Sequence, residues 1–143
     1  MRAATLARIS LAALVVATFL AILYAQERKR EPALLDEPRG FGVVAFKPVG
    51  PLTGKVNRRA HFNVRATVDD TLAVSIIDER TGRTVVVLIR RVHAGRHLPL
   101  SWNGRTPGGT LAPPGRYRLS VHFQRRDQTV QPALQLRLEG PRA

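Results

Sequence analysis

The sequence predicts an all-β domain, an antiparallel β-sandwich of about seven strands, preceded by a single N-terminal transmembrane helix. Three observations predict it. Beyond residue 40, apolar residues recur at every second position in short runs separated by turn residues, the pattern of strands with one buried face. Residues 98–123, LPLSWNGRTPGGTLAPPGRYRLSVHF, place two such runs on either side of a stretch dense in Gly and Pro. Residues 6–25, LARISLAALVVATFLAILYA, carry no charge after Arg8 and only Ser10 and Thr18 as polar side chains.

Residues 1–5 form a short N-terminal tail, and 6–25 are the expected signal anchor. Twenty residues at about 1.5 Å each give about 30 Å, the thickness of the hydrocarbon core. The alternative is a cleaved secretory signal, whose apolar region is about 7–15 residues long and ends in a small-x-small site. A cut after Ala25 meets Leu23 and a cut after Ala21 meets Phe19, so neither offers the small pair. Arg2 and Arg8 precede the span while Arg28, Lys29 and Arg30 follow it, which gives charge-based orientation little purchase. The short tail before the first apolar segment favours an N-terminus inside and a C-terminal domain outside the cytoplasm. Residues 26–39, QERKREPALLDEPR, are read as a solvated juxtamembrane stalk. Headgroup contact by Arg28, Lys29 and Arg30, or docking of Ala33, Leu34 and Leu35 onto the domain, are the alternatives.

The domain spans 40–143. Its first strand covers 41–46 and is stopped by Pro48, Gly50 and Pro51. Phe62, Val64, Ala66 and Val68 form the next inward face, Asp69-Asp70 turn the chain, and Leu72, Val74 and Ile76 form another. A hairpin over 78–82 leads into 83–90, where Thr84 to Ile89 are rich in β-branched residues. After Ala94-Gly95 come strands at 98–102 and 117–123, a turn at Arg126, Asp127 and Gln128, and a last strand through Leu134, Leu136 and Leu138. Seven strands in about 100 residues match the turn spacing of a sandwich.

The chain has 23 Lys and Arg against 10 Asp and Glu, a net charge of +13, and no cysteine. Disulfides, thiolate zinc sites, cysteine nucleophiles and lipoprotein acylation are therefore excluded. Arginine outnumbers lysine heavily, which fits either GC-rich coding bias or selection for an anionic partner. The pairs Arg58-Arg59, Arg90-Arg91 and Arg125-Arg126 are the candidate polyanion contacts. With two Tyr and one Trp, stacking of single-stranded nucleic acid is poorly supported, and nucleic acid is not the expected partner.

Chemistry-bearing motifs are sparse. His93 and His97 have a helical metal-ligand spacing, but Ala94-Gly95 between them signals a turn, and no Glu follows His93. They read as exposed loop histidines. Asp69-Asp70 and Asp78-Glu79 fall where turns are expected. No nucleophile elbow and no phosphate-cradling loop with lysine is present, and Gly108-Gly109 reads as a tight turn. No catalytic residue, metal site or cofactor is expected.

The succession Trp102-Asn103-Gly104, Gly108-Gly109, Pro114-Gly115 and Tyr117 resembles the Ig-like domain of the flagellar hook-capping (FlgD-like) family, over about 46–123. The resemblance implies an Ig-like sandwich of a kind also carried by exported proteins unrelated to flagella. In physical terms, Trp102 supplies a large packing anchor, and Pro114-Gly115 suit the two central positions of a type II turn. Family members often have Asp where Asn103 stands and an acid-rich loop after the first strand. The loop here, 47–59, reads KPVGPLTGKVNRR without a carboxylate, so a Ca²⁺ site is not implied. The apolar span at the N-terminus also departs from a soluble hook-capping protein, so the flagellar role is not carried over. The expected function is a noncatalytic single-pass membrane protein displaying an extracytoplasmic structural or protein-interaction module. The alternative is a membrane-anchored binder of anionic polymers (cell-wall polymer, polysaccharide or lipid headgroups) through its arginines.

Overall fold

The computed structural model describes residues 14–24, 33–36, 42–52 and 54–140. The chain divides into two compact units, Met1–Pro32 and Ala33–Ala143. In the first, residues 14–24 form a helix whose side chains are exposed throughout, Leu14, Phe19 and Leu20 among them. Eleven helical residues reach about 16 Å, half the hydrocarbon thickness. Among the described residues no helix is long and apolar enough to cross a membrane. The rest of the expected 6–25 span, residues 6–13 and 25, lies outside the described residues, as do 26–32 of the stalk.

The described residues of the second unit are all-β, with eight strands: β1 (Val43–Phe46), β2 (Ala60–Arg65), β3 (Asp70–Asp78), β4 (Thr84–Val92), β5 (His97–Trp102), β6 (Gly115–Phe123), β7 (Gln128–Val130) and β8 (Gln135–Leu138). One sheet runs in the order β1-β8-β6-β3-β4, with β7 also paired to β6, and β2 and β5 form a second sheet. Alternation sets the faces. Leu72, Val74 and Ile76 of β3 and Leu119, Val121 and Phe123 of β6 are fully buried, while the intervening residues are not. Phe62, Val64, Leu100 and Trp102 of the second sheet close the same core. Each such side chain contributes about 1.5–3 kcal/mol relative to exposure, which locks the register against a one-residue slip.

Two features differ from the expected all-antiparallel, seven-strand arrangement. β1 pairs with β8 in parallel, Val43 opposite Gln135 through Phe46 opposite Leu138, because the first and last strands meet at one edge running the same way. β7 is an additional strand of three residues, too short to alternate visibly. Asp127, with φ of 51°, makes the turn that returns it to β6.

Residues 33–36, assigned to the solvated stalk by the sequence, belong to the β unit. Leu35 is buried and bridges Ala66, Asp36 N–H donates to the Arg65 carbonyl at 2.9 Å, and Thr67 N–H donates to the Leu34 carbonyl at 3.0 Å. Arg65 also pairs with Asp36 at 3.1 Å. Leu34-Leu35 thus extend the second sheet beside β2, held by the burial of Leu35, by these backbone hydrogen bonds and by the ion pair.

Candidate interaction surface

The Trp102 region is a structural lock. Trp102 ends β5, and its ring meets Phe46 of β1 at 5.4 Å and Tyr117 of β6 edge-on at 4.9 Å. One side chain therefore ties the small sheet to two strands of the large one. Its indole N–H donates to the Arg105 carbonyl at 3.0 Å, so the ring's polar edge is satisfied where it is buried. Asn103 Oδ1 accepts from Arg105 N–H at 3.0 Å, an Asx turn that starts the loop. Arg105 Nη1 donates to the Gly109 carbonyl, Gly109 N–H to the Thr106 carbonyl, and Ala112 N–H to the Gly104 carbonyl. Residues 104–112 are thus a closed turn around Gly108-Gly109, as the sequence suggested. Pro114-Gly115 is not the expected type II turn. Gly115 opens β6 opposite Leu138 with φ of 154°, whereas the turn requires about +80° at that position.

Tyr117 donates its hydroxyl to the Pro113 carbonyl. Burial, then the nearby Asp78 carboxylate, raise its pKa above the usual 10.0, with Arg80 opposing. Because the folded value lies above the unfolded one, stability that depends on the neutral phenol is complete below about pH 10 and lost as pH rises through the folded value. Unfolding curves collected from pH 9 upward will show a steeper alkaline loss in the native protein than in Tyr117→Phe. Parallel curves would contradict this.

The candidate arginines do not form one surface. Arg58 and Arg59 precede β2 at the Trp102 end, and Arg58 Nη1 is engaged with the Gly50 carbonyl at 2.6 Å. Arg90, Arg91, Arg125 and Arg126 gather at the opposite end of the large sheet. Leu72 pairs with both Arg90 and Phe123, and Asp70 Oδ1 accepts from Arg125 N–H at 2.9 Å. A hollow of about 450 Å³ at that end is lined by Arg91, His93, Arg96 and His97 with Val92 and Leu98. His93 lies in the turn after β4 and His97 opens β5, both exposed, with Asp69 3.9 Å from His93. A second, apolar hollow of about 380 Å³ opens between the sheets among Leu35, Val44, Phe62, Val64, Leu119 and Leu134.

The residues that sequence reasoning did not mark as a site are on β4. The run Thr84 to Ile89 has apolar side chains on both faces, which suits an internal strand. Yet among the described residues β4 pairs with β3 alone and ends the large sheet. Val86 and Leu88 lie opposite the buried Ile76 and Val74 on the inner face, and Val87 and Ile89 lie opposite Ser75 and Ala73 on the outer face. Val87 is 47% and Ile89 55% exposed. A register shift at Ile76/Ile77 leaves Val85 as a bulge, so the regular ladder runs from Val86. Only the position at an edge turns this run from core into surface, and position within a sheet has no local sequence signal.

No protein-family profile and no curated protein matches the chain. Among solved structures, FlgD from P. aeruginosa is similar over 51% of this chain and 55% of its own, at 20% identity and a TM-score of 0.45. The chain spans about half the length of that protein, and the β-sandwich assignment rests on the strand order and register given above.

Proposed function

We propose that the protein is a noncatalytic, membrane-anchored display module: an N-terminal anchor over 6–25 holding an Ig-like sandwich outside the cytoplasm, where a sheet edge receives a protein partner. The observation that carries this reading is β4, a nine-residue edge strand with Val87 and Ile89 exposed. Sheet edges are ordinarily blunted by charged side chains, Pro or a β-bulge, and Val86 to Ile89, between the Val85 bulge and Arg90, contain none of these. An unblunted edge offers backbone donors and acceptors to an added strand. The exposed side chains of 14–24, apolar except for the Tyr24 phenol and for Thr18, whose hydroxyl donates to the Leu14 carbonyl at 2.9 Å, support the anchor, since such a surface is stable in lipid rather than water.

The reading is tested in cells with a reporter after Ala143 that is active only outside the cytoplasm, together with a photo-crosslinking side chain at Ile89. An active reporter and a discrete adduct that disappears on Val87→Lys are expected. An inactive reporter, or an adduct indifferent to Val87→Lys, contradicts it.

A further inference from the structure

The free edge of β4 is bracketed by unpaired cations. Arg83 precedes it and Arg90 and Arg91 close it, and none of the three makes an ion pair among the described residues. Arg90 Nη1 turns back to the Ile89 carbonyl at 2.8 Å, so its charge lies along the strand rather than away from it. Beyond Arg91 the basic character continues through Arg96 and the hollow that it shares with Arg91, His93 and His97. The edge therefore presents an apolar stretch, Val86 to Ile89, that runs directly into positive charge.

A second copy of this chain fits that edge poorly. A two-fold axis perpendicular to the sheet pairs residues on the same face, so it must pass through a residue rather than between two. Centred on Val87, with Val85 left out of the ladder as the bulge, it sets Arg83 against Arg90 at both ends, two like-charge contacts on the inner face. Centred on Leu88, it sets Arg90 against Val86 and, across the Val85 bulge, Arg91 against Thr84, leaving four cations without an acidic partner. Each copy also carries +13. Like charges directly opposite one another disfavour pairing, whereas opposite charges favour it.

We infer that β4 receives, by strand addition, an extended segment of another protein with β-branched residues opposite Val86 to Ile89 and carboxylates opposite Arg90 and Arg91. Backbone pairing supplies the affinity, and the acid-after-apolar pattern supplies the choice of partner. This rests on the display-module reading and adds the chemistry of the partner.

The test uses the full chain in detergent micelles and three capped probe peptides: Glu-Glu-Val-Thr-Val-Thr-Val-Glu-Glu, its counterpart with Lys in place of Glu, and the Glu peptide N-methylated at alternate residues. Fluorescence anisotropy is expected to show the Glu peptide binding at least ten-fold more tightly than either of the others. Arg90→Glu with Arg91→Glu reverses the Glu-over-Lys preference, while Arg59→Glu with Arg116→Glu, an equal charge change at the other end of the sandwich, leaves it standing. Ile89→Lys, at an exposed position that does not enter the core, weakens the Glu peptide with an unchanged melting temperature. Equal binding of the N-methylated peptide identifies a general anion surface and overturns the inference. A dimer that Val87→Lys converts to monomer makes the second copy the occupant and also overturns it. Loss of peptide discrimination with a persistent, Val87-dependent crosslink in cells overturns the inference and leaves the display-module reading intact; loss of both removes both.

Discussion

Replacing Trp102 by alanine is expected to destabilise the β unit by about 3–5 kcal/mol, the usual cost of deleting a large buried aromatic. The side chain is 3% exposed and is shared by three strands from both sheets, so the cavity cannot be closed by movement of one element. Two further losses accompany it: the edge-on contact with Tyr117, and the hydrogen bond that satisfies the Arg105 carbonyl at the start of the loop. Domains of this size are stable by about 5–15 kcal/mol, so the change removes a large fraction of the total. Denaturant unfolding reads it as a fall in midpoint, and thermal unfolding as a loss of more than about 10 °C. Trp102→Phe keeps most of the volume and recovers a substantial part. A loss below about 1 kcal/mol for the alanine variant would mean that the two sheets are not tied together through this ring.

The second large effect is at Gly104, and it separates two physical costs. Its φ of +75° lies in the left-handed region, where a side chain costs about 1–2 kcal/mol. A Cβ there would also stand 2.6 Å from Pro48 Cγ, 3.0 Å from Leu138 Cδ1 and 3.2 Å from Phe46 Cε2, and such overpacking costs about 1–3 kcal/mol. Gly104→Ala is therefore expected to destabilise by about 2–5 kcal/mol. Gly109 has a similar φ of +85° but open space around the corresponding Cβ position, so Gly109→Ala bears only the first cost, about 1–2 kcal/mol. The difference between the two variants, measured by urea unfolding under one condition, isolates the close approach of the loop to the core. Equal losses would show that Gly104 is required for its backbone conformation alone.

These two residues also show what was legible in the sequence. Trp102 and Gly104 announce themselves, one as the lone tryptophan at the end of an alternating run and the other as a glycine immediately after Asn103. The alternations through Phe62, Leu72, Leu100 and Tyr117 likewise fix which face is buried, because periodicity is local and the structure follows it. Pairing is not local. Nothing in Val43 to Phe46 or Gln135 to Leu138 states that they lie side by side in parallel. Leu34 and Leu35 follow a proline in a charged stretch, and only contact with Ala66 and Thr67 reveals them as part of a sheet. The candidate arginines illustrate the same limit: three similar pairs in sequence become two opposite ends in space. The β4 run was visible as an apolar strand, but its exposure follows from standing last in the order β1-β8-β6-β3-β4.

The central claim is that this edge is where the displayed sandwich meets its partner, and a crosslinking walk in intact cells tests it most directly. Photo-reactive side chains are placed singly at Val87 and Ile89 on β4, and at Arg118 and Ser120 on β6, in the interior of the same sheet. Discrete adducts from Val87 and Ile89, abolished for Ile89 by Val87→Lys and absent from Arg118 and Ser120, are the expected result. Adducts from β6 with none from β4 would contradict it.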